Sequence, residues 1–112
     1  MSCLFCQIVA GDIPSGKVYE DDMALAFHDI TPQAPTHVLV VPKVHISNLT
    51  EISPANSQLI AHLFEVIAKL SRELELSDGF RVVANQGEFG GQTVDHLHFH
   101  LLGGRQLSWP PG

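Results

Sequence analysis

The sequence predicts an α+β fold: an antiparallel sheet of about five strands packed by one long helix, with a short helix at the amino terminus. Three observations carry this expectation. Apolar residues recur at helical spacing over one long stretch, from residue 53 to 76. Apolar runs of four to eight residues, bounded by Gly, Pro or Asp, recur elsewhere along the chain. These strand-like runs outnumber the helical ones, which places one long helix against a sheet.

The elements follow in order. "LFCQIVA" (4–10) is a short helix stopped by Gly11 and the "DIPSG" turn. "KVYE" (17–20) and "MALAFHDI" (23–30) form a hairpin turned at Asp21 and Asp22. The two prolines of "TPQAP" (31–35) hold a loop open, and "THVLVVP" (36–42) is apolar throughout, as a strand central to its sheet must be. Ser53 suits an N-cap and Pro54 a first helical position, so the long helix is expected to start there and end at Leu76. Its apolar arc comprises Leu59, Ile60, Leu63, Phe64, Ile67, Leu70 and Leu74, with Glu65, Lys69, Arg72 and Glu73 opposite. His62 lies off the arc and reads as a solvated surface residue. "FRVVAN" (80–85) is a strand, "QGEFGGQ" (86–92) a glycine-rich loop and "TVDHLHFHLLG" (93–103) the last strand. The prolines and glycines of "GGRQLSWPPG" leave the tail without regular structure.

A chain of 112 residues is expected to form one domain, 1–112, and its 45% apolar and 16% charged composition is that of a globular protein. A net charge of −6 with six Lys and Arg argues against a nucleic-acid partner or an anionic membrane surface. No apolar run is long enough to cross a bilayer, and the start lacks the basic segment of a signal peptide, so a cytoplasmic location is expected. Cys3 and Cys6 are the only cysteines. A C-x-x-C pair in a reducing compartment reads as half a metal site or a redox pair, and the absence of a preceding strand favours metal.

The chemistry concentrates in "DHLHFH" (95–100), where three histidines alternate. On a strand His96, His98 and His100 share one face, with Leu97, Phe99 and Leu101 on the other. Same-face neighbours lie about 6.6–6.8 Å apart, so His96 and His100, at twice that separation, cannot easily ligate one ion. Cys3, Cys6, His45 and His96 would instead complete a closed, structural Cys₂His₂ zinc site. The alternative is a pair of free thiols with Cys6 in the core. His98 and His100 remain, with Asn85 on the neighbouring strand. A neutral imidazole is a competent nucleophile towards phosphorus, and a protonated one stabilises developing negative charge. Gly90 and Gly91 would let backbone N–H groups approach phosphate oxygens, and Thr93 could add a hydroxyl.

"HLHFHLLGG", with "YEDDMALAFHDITPQAPTHVLVVPKVHIS" and the terminal "GGRQ…WPPG", resembles the HINT branch of the histidine triad (HIT) superfamily nearly end to end. The resemblance implies a homodimer whose sheets join into one, binding purine nucleotides and hydrolysing nucleoside phosphoramidates through a nucleotidyl-histidine intermediate. It makes His98 the nucleophile, places His100 and His37 near the phosphate, and has His96 support the nucleophile. It puts Asp29 at the ribose hydroxyls and Phe5, Ile8, Phe27, His28 and Ile30 around the base. Asn85, Gly91 and Thr93 become phosphate-side contacts, and Trp109 approaches the leaving-group end of the partner's site. Zinc-binding members elsewhere in the superfamily use the two cysteines, the histidine of "PK-x-H" and the first triad histidine, which here are Cys3, Cys6, His45 and His96. No organic cofactor is implied. The chain departs from the HINT pattern at Thr93, where Ser is common, at Asp95, where an aromatic is usual, and at its C-x-x-C. The same pocket would also serve a nucleotide-binding regulatory or scaffold protein with vestigial catalysis, and an H-x-H metal-dependent hydrolase is a third reading.

Overall fold

The structure, a computed structural model, describes residues 3–112. Strands β1 (Lys17–Glu20), β2 (Ala24–His28), β3 (Thr36–Pro42), β4 (Phe80–Val83) and β5 (Phe99–Gly103) form one antiparallel sheet in the order β1-β2-β3-β5-β4. The expected α+β architecture is thus the observed one, with β3 at its centre. Helix α1 spans Leu4–Ala10 and α2 spans Ser57–Glu73, with a 3₁₀ turn at Leu49–Glu51 between β3 and α2.

Strand alternation gives the sheet two different faces. Ala24, Ala26, Val38, Val40, Phe99 and Leu101 point to one side and pack against Leu63, Val66, Ile67 and Leu70 of α2. Leu25, Phe27, Leu39 and Val41 point to the other and meet Phe5 and Ile8 of α1. A seven-residue helix is too short to persist on its own in water, so burial of Phe5 and Ile8 must hold α1 in place. Gly11, at φ +84°, closes the helix in the left-handed region and donates its N–H back to it.

Several element boundaries differ from the sequence reading. The long helix begins at Ser57 rather than after Ser53, because Ser53 and Asn56 close a turn first: Asn56 Oδ1 accepts the Ser53 N–H at 2.9 Å, and Ser53 Oγ accepts the Ala55 N–H. It ends at Glu73 rather than Leu76, since Glu75 turns to φ +59° and the Leu76 N–H returns to the Ser71 carbonyl. Strands β2 and β4 are shorter than 23–30 and 80–85. Strand β5 starts at Phe99, not residue 93. The β3–β5 register pairs Val40 with Phe99, so Pro42, which has no N–H to donate, would stand opposite Leu97 and ends the ladder. Leu97 donates its N–H to the Ile46 carbonyl instead. The alternation persists without the ladder: Leu97, Phe99 and Leu101 face α2 while the three histidines face the other way.

His62 is the clearest correction. Its Nε2 lies 2.6 Å from Asp21 Oδ2 and its Nδ1 3.6 Å from Glu65, so it ties α2 to the β1–β2 turn. Asp21 is the hub of that tie. Its Oδ1 accepts the N–H groups of Met23 and Ala24, and its Oδ2 also accepts the Tyr19 hydroxyl at 2.7 Å. Burial alone would raise the Asp21 pKa, but the hydrogen bonds from Tyr19, Met23, His62 and Ala24 outweigh it and hold the carboxyl well below the usual range. Asp21→Ala removes all four bonds and is expected to lower the unfolding free energy by about 1–3 kcal/mol. His62→Ala, which removes the partly exposed contact to Asp21, should cost about 1 kcal/mol or less. Urea denaturation measures both, and an Asp21→Ala loss no larger than that of His62→Ala contradicts the hub role.

Candidate functional site

The face opposite α2 carries a cavity of about 330 Å³ under α1. Register builds its floor: Phe27 of β2 stands opposite Leu39 of β3, which stands opposite His100 of β5. His98, just before β5, and Phe5 and Ile8 of α1 form one wall, and His28, Asp29 and Ile30, at the end of β2, form another. Thr93 and Val94 also line the cavity. The lining is mostly apolar, with polar groups from His28, Asp29, Ser15, Thr93, His98 and His100, as a site for a small ligand with one polar end requires.

Hydrogen bonds assign a proton to one nitrogen of each ring. His98 Nδ1 lies 2.7 Å from the His96 carbonyl, which can only accept, so Nδ1 carries the proton and Nε2 keeps its lone pair. His37 Nδ1 accepts the Gln33 N–H at 3.0 Å, which leaves its proton on Nε2. That nitrogen lies 2.9 Å from His100 Nδ1 and 3.4 Å from Asp29 Oδ2. His100 Nδ1 therefore accepts, and the proton of His100 sits on Nε2. Burial, followed by the nearby His98 and His37, pushes the His100 pKa down to about 4 against the opposing pull of Asp29. Burial also lowers that of His37, again against Asp29. Near neutral pH both rings are therefore uncharged. The cavity thus presents a lone pair from His98 beside an N–H from His100, which suits attack on an electrophile whose oxygen accepts a hydrogen bond.

Beside the cavity, Cys3, Cys6, His45 and His96 bring four ligand atoms within 4.8 Å of one another. His45 Nδ1 and His96 Nδ1 are 3.2 Å apart, and the sulfur–nitrogen distances are 3.4 Å from Cys3 to His96, 3.4 Å from Cys6 to His45 and 3.5 Å from Cys6 to His96. Tetrahedral zinc with sulfur and nitrogen ligands would set such atoms about 3.3–3.8 Å apart, so the residues fit that ion. The proton count agrees. His96 Nε2 donates to the Pro42 carbonyl at 2.9 Å, which leaves Nδ1 bare and aimed at the thiols. A second group, Asp29, His37 and His100, is equally tight, but its nitrogens are joined by the hydrogen bonds just described.

Of the residues singled out in the sequence, Phe5, Ile8, Phe27, His28, Asp29, Ile30, Thr93, His98 and His100 all line the cavity. His37 lies behind His100, buried, and His96 stands between the cavity and the cysteines. Asn85 and Gly91 lie in the glycine loop instead. Asn85 Nδ2 donates to the Gly90 carbonyl and the Gly91 N–H donates to Glu88, so both brace the loop that leads to Thr93. A Cβ at Gly90 would run into the Gln86 backbone, which explains that glycine by close approach. Trp109 is 81% exposed and lines nothing in its own chain's cavity. Sequence reasoning missed Leu4, Ile13, Pro14, Ser15, Leu39 and Val94. Leu39 was findable, because it shares strand parity with His37. Ser15, whose buried hydroxyl has no hydrogen-bond partner among the described residues, sits in a turn with no periodicity to reveal it.

Fold and cavity together define an open-faced α+β protein with a histidine-lined ligand site. The family model for the HIT domain matches residues 10–107, and the chain belongs to that family. A HIT family hydrolase from Legionella pneumophila Philadelphia 1 superposes with a TM-score of 0.97 at 49% identity, covering 99% of this chain and 100% of that one. The 14 kDa zinc-binding protein of Zea mays is 46% identical over 111 residues, 97% of this chain and 87% of that protein. A histidine triad nucleotide-binding protein from Candida albicans superposes with a TM-score of 0.84 at 36% identity, covering 97% of this chain and 83% of that one. Among the described residues no helix is long and apolar enough to cross a membrane.

The His100 environment sets a pH dependence. An unfolded histidine takes up its proton near pH 6.5, whereas folded His100 waits until about 4. Between those values the unfolded chain binds more protons, so stability falls as pH drops from about 6.5 towards about 4. His100→Gln should lose less of its melting temperature across that window than the unmodified chain, as followed by calorimetry. A parallel decline in the two proteins contradicts the assignment.

Proposed function

We propose that the chain, a single HIT domain over 1–112, is a purine nucleoside phosphoramidase acting in the cytoplasm as a homodimer. The observation that carries the reading is the 2.7 Å contact from His98 Nδ1 to the His96 carbonyl, which leaves Nε2 as a nucleophile at the cavity wall. In this reading Phe5, Ile8, Phe27, His28 and Ile30 enclose the base, and Asp29 accepts hydrogen bonds from the ribose hydroxyls. His98 Nε2 attacks the α-phosphorus while the Nε2–H of His100, oriented by His37, donates to a phosphorus oxygen. The P–N bond breaks, and the departing nitrogen takes a proton from bulk solvent to leave as the amine; the later attack of water on phosphorus returns one proton to solvent. Water then cleaves the His98–phosphorus bond to release the nucleoside monophosphate. Thr93 adds a hydroxyl beside the phosphate, and Asn85 and Gly91 shape the loop behind it.

Charge supports the substrate class. Among the described residues no Lys or Arg lines the cavity, and burial lowers the pKa of His100 there and of His37 behind it. A nucleoside phosphoramidate carries a single negative charge on phosphorus, which uncharged N–H donors can serve. The nucleotide-binding description of the Candida albicans protein and the hydrolase description of the Legionella pneumophila protein point the same way. For the dimer, β4 offers an open sheet edge with Phe80 44% exposed, and the tail beyond β5 would carry Trp109 towards the partner's cavity. Cys3, Cys6, His45 and His96 would hold zinc, a fit supported by the zinc-binding relative of Zea mays. Four protein ligands leave no open position, so the ion would supply structure rather than polarise substrate.

His98→Ala is expected to keep adenosine monophosphate binding but lose at least about a thousandfold in turnover of a fluorogenic adenosine phosphoramidate. Turnover within tenfold of the unmodified chain would sink the nucleophile assignment. Metal analysis of freshly purified protein should return about one zinc per chain, consistent with one four-ligand site, and its absence would remove the zinc reading.

A further inference from the structure

We propose that the Cys3–Cys6–His45–His96 cluster and the nucleotide cavity are coupled sites, joined through Phe5 and His96, so that a cation in the first and a nucleotide in the second each tighten the other's binding. The proposal rests on the nucleotide reading of the cavity and concerns what that reading leaves open, how occupancy of the site is regulated.

Helix α1 serves both places at once. Cys3 at its N-cap and Cys6 in its first turn belong to the cluster, while Leu4, Phe5 and Ile8 between and beyond them line the cavity. A seven-residue helix has little stability of its own, so its position as a wall follows from what it is pinned to. Phe5 is the pin on the cavity side. Its ring is 5% exposed and meets His98 edge-on, with centroids 5.1 Å apart and planes at 88°. The same ring touches Phe27 at 5.5 Å and His96 at 5.9 Å. Any displacement of Cys6 therefore moves the ring that bounds the His98 imidazole.

His96 makes the second link. Its Nδ1 faces both thiols, its Nε2 is fixed on the Pro42 carbonyl, and its own carbonyl orients His98. The residue is completely buried with Nδ1 already facing the thiols, so a cation there holds in place the same residue whose carbonyl orients His98. Both ligands then favour one placement of α1 and one orientation of His96. Two ligands that favour the same state bind with positive coupling, and the coupling is reciprocal. Phe5 and His96 are in this sense positioning residues for His98.

The zinc-loaded chain is titrated with a chromophoric zinc chelator, with and without saturating adenosine monophosphate, using nucleotide and chelator alone as the blank. Nucleotide is expected to lower the zinc Kd by about fivefold or more, the smaller end of ordinary coupling between sites. Phe5→Leu keeps an apolar wall and removes the ring contact, so the shift should shrink to less than about twofold in that variant. Calorimetry on the same sample records nucleotide binding itself. No binding heat overturns the nucleotide reading together with this proposal. Binding heat with an unchanged zinc Kd overturns the coupling alone, and a full shift retained in Phe5→Leu overturns the route through Phe5.

Discussion

The His96 carbonyl accepts the Nδ1–H of His98 at 2.7 Å, within the segment before β5, where the β3–β5 ladder has already ended at Val40 and Phe99. Pro42 is the cause. Lacking an N–H, it halts strand pairing, and its own carbonyl turns to receive the His96 ring instead. One proline thereby frees the segment before β5 to use side chains where a longer strand would use backbone. Each histidine of the triad then finds different company: thiols and His45 for His96, the cavity for His98, and His37 with Asp29 for His100.

The electrostatics follow from the same packing. Burial penalises a charged imidazole, so His37 and His100 are neutral and each must hold its single proton on a definite nitrogen. The Gln33 N–H decides for His37, and His37 decides for His100. A run of donors thus reaches from a loop backbone to the cavity without any net charge. This is an economical way for a chain of net charge −6 to present hydrogen-bond donors to an anion. It also separates the two histidine groups by function, since ring nitrogens already joined by hydrogen bonds at the cavity contrast with bare ones at the cysteines.

Much of this was legible in the sequence because period-two and helical patterns report which side of an element is apolar. The apolar run of β3 announced its central place, and the alternation in "DHLHFH" put three histidines on one face even though β5 covers only its end. Patterns of this kind say nothing about side-chain hydrogen bonds that displace an element's start. Ser53 is a good cap in isolation, but Asn56 lies closer to the helix proper and binds Ser53 itself. His62 lay off the apolar arc and so read as idle, because its partner Asp21 lies 41 residues away in a turn. Roles for Asp29 and His37 came only with the HIT resemblance, since a strand-end carboxylate and a buried histidine are otherwise ordinary. The cavity residues from the 13–15 turn have no periodic signature at all.

The account turns on which nitrogen of each imidazole bears the proton, and nitrogen-15 NMR of the histidine side chains near neutral pH reads that directly. His98 should show a protonated Nδ1 with a bare Nε2, and His100 a bare Nδ1 with a protonated Nε2. A His98 ring protonated on Nε2 would leave no lone pair at the cavity and would contradict the account at its centre.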